Sequence, residues 1–141
     1  MERSAVIVLD THAWIWWHAE PARLSAPGAR AIAEADRIGV SSISVWELGM
    51  LVRRGRISLD RNVARWVRQA LSDARIAVLA PGPDVALAAA LLDDDFPGDP
   101  ADRLIYAAAR QAGARLVTRD AHIARFDPAR VLNGGRFVGG I

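Results

Sequence analysis

The sequence predicts an α/β fold, a parallel sheet covered on both faces by helices, in one domain of 141 residues. Three observations carry this. The apolar runs Val6-Ile7-Val8-Leu9, Ile38-Gly39-Val40, Ile76-Ala77-Val78-Leu79 and Leu116-Val117 lack the polar alternation of a half-exposed strand and read as strands buried on both faces. Helical patterns separate them at the spacing of the crossovers that parallel neighbours require. No internal repeat, low-complexity stretch or Pro/Gly-rich linker divides the chain.

The first strand, 5–9, stops on Asp10, and a helical segment follows from Ala13 to His18, rich in tryptophan. Glu20-Pro21 breaks it, and Pro27 stands near the start of a second helix over 26–36. Residues 37–41 read as the second strand. Ser44 and Glu47 have capping-box spacing, which places a helix over 45–54 that Gly55 ends. Val63, Trp66, Val67 and Leu71 share one face of a further helix over 60–74. The third strand, 76–79, ends in Ala80-Pro81-Gly82-Pro83, and an alanine- and leucine-rich helix covers 85–92. The stretch from Asp93 to Pro100 is a loop, with Asp93 to Asp95 solvated, and a helix over 101–112 follows, capped by Gly113. The fourth strand, 115–118, runs into Arg119-Asp120-Ala121-His122 and a short helix or turn. Val131 and then Phe137-Val138 offer one more edge strand.

A chain of this length buries a core without covalent staples, and the absence of cysteine excludes a disulfide framework, a thiolate nucleophile and a thiolate zinc site. All 18 basic residues are arginine. Without lysine there is no P-loop lysine, no Schiff base and no lysine general base. Acidic residues number 16, for a net charge of +2, a balance that suits arginine–phosphate pairing with a nucleic acid and an ordinary surface equally. Asp10 cuts the N-terminal apolar run short, and nowhere do about 18 apolar residues run together. The expectation is a soluble, cytoplasmic protein with no membrane partner.

Ligands of open α/β sheets gather beyond the carboxyl ends of the strands. Asp10 directly follows the first strand and Asp120 lies just past Thr118 at the end of the fourth, so both belong to one rim. Taken singly, each is better explained as the N-cap of the next helix. Glu47 interrupts an apolar stripe of Ile43, Met50 and Leu51, and beside that reading stands a reciprocal capping contact with Ser44. Asp102 lies along the side of Ile105, Tyr106 and Ala109 in the first turn after Pro100, where the alternative is dipole stabilisation of about 0.3–1 kcal/mol. Asp99 fits best as that helix's N-cap, with Pro100 at its first position. His12 and His122, each beside a strand-end acid, read as polar rim residues rather than bases or ligands.

Carboxylates gathered at one rim cannot all stay ionised without a counter-charge. With no lysine, and arginines not placed to serve all four acids, a divalent cation is the economical answer. An all-oxygen donor set favours Mg²⁺ or Mn²⁺ over zinc. Such a centre activates a bound water and stabilises charge on a phosphodiester as its oxygen leaves.

Four blocks, Val8-Leu9-Asp10-Thr11-His12, Ser41-Ser42-Ile43-Ser44-Val45-Trp46-Glu47-Leu48, Asp99-Pro100-Ala101-Asp102-Arg103-Leu104-Ile105 and Leu116-Val117-Thr118-Arg119-Asp120, resemble in order and spacing the PIN-domain ribonucleases. Within that family they are most similar to the toxin component of VapBC-type toxin–antitoxin pairs. The resemblance implies a three-layer sandwich with a central parallel sheet of about five strands. It also implies a Mg²⁺- or Mn²⁺-dependent endoribonuclease that acts as the toxin of a type II toxin–antitoxin system. By block, Asp10, Glu47, Asp102 and Asp120 match the family's acidic quartet, which is catalytic and holds the metal. Thr118 matches a hydroxyl position beside the fourth acid, and Thr11 can serve similarly beside the first. Asp99 and Asp102 compete for the third role, and Asp102, on the helix, is preferred. Arg103 is read as pairing with one of these acids or touching phosphate.

The resemblance further implies an RNA substrate, a cognate antitoxin that covers the site, and a homodimer. Trp14, Trp16, Trp17 and Trp46 are either anchors for a partner or ordinary core packing. A catalytically inactive PIN-like binding module and a housekeeping RNA-processing nuclease are the competing readings, and the presence of all four acids weighs against the first. A receiver-like phosphotransferase with Asp10 as nucleophile would want a second aspartate nearby and a lysine, where this chain has Thr11, His12 and no lysine.

Overall fold

The computed structural model describes residues 5–135. Among them, β1 (Val6–Leu9), β2 (Arg37–Ser41), β3 (Ile76–Leu79), β4 (Arg115–Thr118) and β5 (Val131–Asn133) form one sheet in the order β3-β2-β1-β4-β5. Every neighbouring pair is parallel. The connections are α1 (Thr11–Ala19), a 3-10 turn (Pro21–Arg23), α2 (Ala26–Glu34), α3 (Ser42–Arg53), α4 (Val63–Ala70), α5 (Pro83–Ala90), α6 (Pro100–Gln111) and α7 (Ala121–Phe126). The expected α/β sandwich is the fold found.

Strand side chains alternate between two buried faces, which is why the runs carry no polar alternation. Ile7, Leu9, Ile38 and Val40 pack with Trp14 and Ile15 of α1, Ile32 of α2, Leu48 of α3 and Trp66 of α4. Val8 and Leu116 pack on the other side against Phe96, Ile105, Tyr106 and Ile123. The Trp14 indole N–H donates to the Ala70 carbonyl at 3.0 Å, which ties α1 to the end of α4 and leaves no polar cost for burying the ring.

Several helix bounds differ from the sequence expectation, and at α2, α3 and α4 a local hydrogen bond gives the reason. α3 starts at Ser42 rather than Val45, since the Ser41 hydroxyl at the strand end accepts the Ile43 amide at 3.1 Å and caps the helix. Ser44 and Glu47 therefore lie inside the helix and form no capping box. α4 is shorter than 60–74: Asn62 caps its start, and Asp73 beyond its end accepts the Arg75 backbone and side chain at 2.9 and 3.1 Å. α2 stops at Glu34 because Asp36 has turned to accept the Ala5 amide at 2.8 Å, beside β1. The edge strand at Val131 is present as β5, while Phe137-Val138 lies outside the described residues.

The connectivity places the site. From β1 the chain steps outward to β2 and β3, then returns to the other side of β1 for β4 and β5. The order in which strands are added thus reverses between β1 and β4, the crevice where open α/β sheets bind ligands. There the Asp10 amide donates to the Val117 carbonyl at 2.9 Å, so the ends of β1 and β4 emerge side by side. No helix among the described residues is long and apolar enough to cross a membrane.

Candidate active site

Asp10 sits at this reversal and is only 6% exposed. One carboxylate oxygen accepts the Ala13 amide at 2.8 Å and caps α1. The other accepts the Thr118 hydroxyl at 2.6 Å and the Arg119 amide at 3.1 Å. The N-cap expected of a strand-end aspartate is thus present, while the second oxygen is tied to the end of β4. Burial pushes its pKa above the ordinary carboxylate value, against the lowering effect of the bonds from Thr118, Ala13 and Arg119 and of the Arg119 charge.

Glu47 reaches the same region from α3. Thr11, in the first turn of α1, donates its hydroxyl proton to the Glu47 carboxylate, and the buried Ser44 hydroxyl lies 3.0 Å from Thr11 Oγ1. A hydroxyl has one proton, so with Thr11 donating to the carboxylate it is Ser44 that donates to Thr11. Burial raises the Glu47 pKa; the Thr11 bond opposes this, and the charges of Asp99 and Asp10 add to it.

Asp102 comes from the first turn of α6. It forms a reciprocal capping box with Asp99: the Asp102 amide donates to Asp99 at 2.9 Å and the Asp99 amide to Asp102 at 3.2 Å. Burial, then the charges of Asp99 and Asp10, push its pKa up to about 8. The loop before it closes tightly, since a Cβ on Gly98 would lie 2.5 Å from the Asp102 Cβ and 2.6 Å from the Phe96 ring.

Asp120 stands at the rim by way of Thr118, whose Oγ1 accepts the Asp120 amide at 3.1 Å while donating to Asp10. Its carboxylate is engaged locally, accepting the His122 and Ile123 amides at 2.8 and 3.4 Å as the cap of α7. Arg119, to which the sequence pattern assigned no role, contributes its amide to Asp10 and its charge to both Asp10 and Glu47. The signal that could have found it was its place directly after the Thr118 strand end. Ser44 was missed as Thr11's partner because its spacing to Glu47 imitated a cap.

One expectation is corrected, and the alternative left open for the tryptophans is decided for three of them. Arg103 pairs with none of the acids: its guanidinium donates to the carbonyls of Ala89 at 3.0 Å and Leu92 at 2.6 Å, closing the end of α5, and lies over the Phe96 ring. Trp14 and Trp16 are buried and Trp17 is half-buried, so core packing accounts for them; Trp46 is exposed. His12 is half-buried with its ring edge against Trp16, and burial with the Arg119 and Arg23 charges lowers its pKa to about 4, so it is neutral at neutral pH. His122 is exposed, 3.7 Å from Asp120.

The donor chemistry suits a hard divalent cation. Asp10, Glu47 and Asp102 are all oxygen donors held above their ordinary pKa, and the charge of Asp10 acts on both of the others. Among the described residues no three acidic or histidine side chains already stand in a metal-holding cluster. Mg²⁺ keeps several of its waters and does not require a closed protein cage to be in place beforehand.

Comparison with known proteins adds an independent line. Residues 7–128 match the PIN domain. The chain is 46% identical over 114 residues to Ribonuclease VapC22 of Mycobacterium tuberculosis (strain ATCC 25618 / H37Rv), covering 81% of this chain and 86% of that one. Similar solved structures include VapBC2 from Rickettsia felis bound to a DNA fragment from their promoter, with TM-score 0.69, 18% identity and coverage of 92% and 98% of the two chains. Another is Mycobacterium tuberculosis VapC20, a sarcin-ricin loop cleaving toxin, with TM-score 0.63, 18% identity and coverage of 86% and 95%. At these identities the solved structures show a shared fold.

Proposed function

This chain belongs to the PIN-domain family, and from that premise we propose that it is an endoribonuclease toxin of a type II toxin–antitoxin pair, dependent on Mg²⁺ or Mn²⁺. Its substrate is RNA, and its partner is a cognate antitoxin, as in the toxin–antitoxin complexes among its structural neighbours. As a toxin acting on the cell's own RNA, it works in the cytoplasm in this reading. The observation that supports the reading is that Asp10 at the end of β1, Glu47 on α3 and Asp102 on α6 all have raised pKa values, with the charge of Asp10 acting on the other two.

In this reading Asp10, Glu47 and Asp102 hold the metal, with Asp120 as the outer acid of the set and Asp99 as the cap that steadies Asp102. When bound, the ion supplies an activated water and neutralises charge on the phosphodiester. The chain's own residues provide the geometry. Thr118 fixes one oxygen of Asp10, Thr11 fixes Glu47, and Arg119 supplies positive charge beside the acids for the phosphate. The exposed apolar side chains Val78, Leu87 and Leu91 are surface for the second subunit of a homodimer.

The test is cleavage of RNA by the purified chain with Mn²⁺ or Mg²⁺ and with a chelator. Wild type is expected to cut only with metal, and Asp10→Asn and Asp120→Asn to lose cutting while remaining folded. Cleavage that survives both substitutions or the chelator would overturn the reading. Expression of the wild-type chain is expected to arrest growth, with relief by co-expression of its antitoxin.

A further inference from the structure

Trp46 breaks the pattern of the other tryptophans. Trp14, Trp16 and Trp66 are buried, and Trp17 packs on His18 at 4.4 Å between ring centroids. Trp46 is 61% exposed and has no ring or cation partner among the described residues. An indole left in water forgoes the large stabilisation its burial would give.

It lines a groove of about 350 Å³ together with Glu47, Met50, Arg54, Arg56 and Asp99. Trp46, Met50 and Arg54 follow one another at four-residue spacing, so they form one stripe along α3. Arg54 lies about 10 Å along the helix axis from Glu47. Arg54 and Arg56, like several other surface arginines, make no ion pair and no side-chain hydrogen bond among the described residues; what sets them apart is their place in the groove beside Trp46 and Glu47. The dipole at the end of α3 accounts for a cation at Arg54. It does not account for Arg56, which lies beyond the helix.

We propose that this groove is the track for the single-stranded RNA flanking the cut, with Trp46 stacking on an unpaired base and Arg54 and Arg56 holding the phosphates on either side of it. The proposal rests on the ribonuclease reading and extends it to how the strand is held. An exposed aromatic face interleaved with unpaired guanidinium groups is the chemistry of single-stranded nucleic acid. The groove shares Glu47 and Asp99 with the acidic site, so a strand lying in it leads to the point of cleavage. Only an unpaired base can offer its face to the indole, so a duplex is excluded.

Binding is read by fluorescence anisotropy in the Asp10→Asn chain, so that the probe is not cut. The probe is a short fluorescein-labelled RNA, single-stranded or annealed to its complement, with Mg²⁺ present. Trp46→Ala is expected to weaken single-strand binding about 10-fold or more, and Trp46→Phe to restore most of it. The duplex is expected to bind more weakly than the single strand and to be indifferent to Trp46. Arg54→Gln with Arg56→Gln is expected to flatten the slope of log Kd against log salt by about 1.4, at roughly 0.7 per phosphate contact. In the cutting chain, Trp46→Ala is expected to raise KM while kcat stays within a few-fold.

Unchanged Kd, KM and salt slope in these variants would overturn the groove. If the same variants instead lost capture of the antitoxin, the face would be a protein-docking surface and the proposal would be wrong. Absence of RNA binding by Asp10→Asn together with absence of cleavage by wild type would overturn the ribonuclease reading as well, which separates the two failures.

Discussion

Replacing Asp10 by Asn keeps an acceptor for the Ala13 amide but turns an amide donor toward both the Thr118 hydroxyl at 2.6 Å and the Arg119 N–H at 3.1 Å. The Thr118 contact can reverse, with the amide donating to its oxygen, and the lost Arg119 bond is worth about 0.5–1.5 kcal/mol. Against it stands relief of a carboxylate that burial holds above its ordinary pKa. Without metal, Asp10→Asn is therefore expected to melt at or above the wild-type temperature while cleavage falls at least about 100-fold. A clear drop in melting temperature would mean that the carboxylate serves the fold. Thr11→Val tests the neighbouring link. It preserves shape but leaves the buried Ser44 hydroxyl without its acceptor, at about 1–3 kcal/mol, and frees Glu47. A melting temperature lowered by several degrees with weaker metal-dependent cleavage is expected, and unchanged values for both would remove Thr11 from the site. At this scale the candidate acids of the proposed site were legible in the sequence, since Asp10 ended an apolar strand and Glu47 and Asp102 stood on apolar helix sides. Arg103 was not, because its partners are backbone carbonyls at the end of α5, and no side-chain pattern announces those.

The first turn of α6 is held between its own capping box and the loop before it. Gly98→Ala would place a Cβ 2.5 Å from the Asp102 Cβ, an atom close to the backbone that cannot swing aside. The start of α6 must shift, at roughly 1–3 kcal/mol for an overpacked contact, and Asp102 moves with it. Lower melting temperature and lower cleavage are expected together. Gly49→Ala is the matched control: nothing lies within 4 Å of its added Cβ in mid-α3, so helix propensity should raise stability by about 0.5–1 kcal/mol with cleavage intact. Calorimetry on the two variants checks both, and equal effects would mean that the loop before α6 is not tightly closed. The cores of the strands and of α6 were readable because apolar runs, Asp99-Pro100 and Gly113 are local signals. The start of α3 was misread because Ser41, counted as the last strand residue, also caps the helix.

For the molecule as a whole, binding of a divalent ion by the folded state alone should stabilise it. At about 100 times Kd the gain is about 2.7 kcal/mol, a rise of roughly 5–10 °C for a chain of this size. Mn²⁺ should give that shift in wild type and little of it in Asp10→Asn, by calorimetry with and without chelator. Equal shifts in the two proteins would place the ion elsewhere. The sequence by itself determined the parallel α/β sandwich, the order of its strands along the chain and the residues able to bear hard-metal chemistry, because periodicity, caps and side-chain type are properties of neighbouring residues. Only the tertiary structure decided that the order in which strands are added reverses between β1 and β4, so that Asp10 and Thr118 meet across 108 positions while Glu47 and Asp102 come within reach of Asp10's charge. Strand order within a sheet follows from how whole faces are buried against one another, and that is not written in any one stretch of the chain.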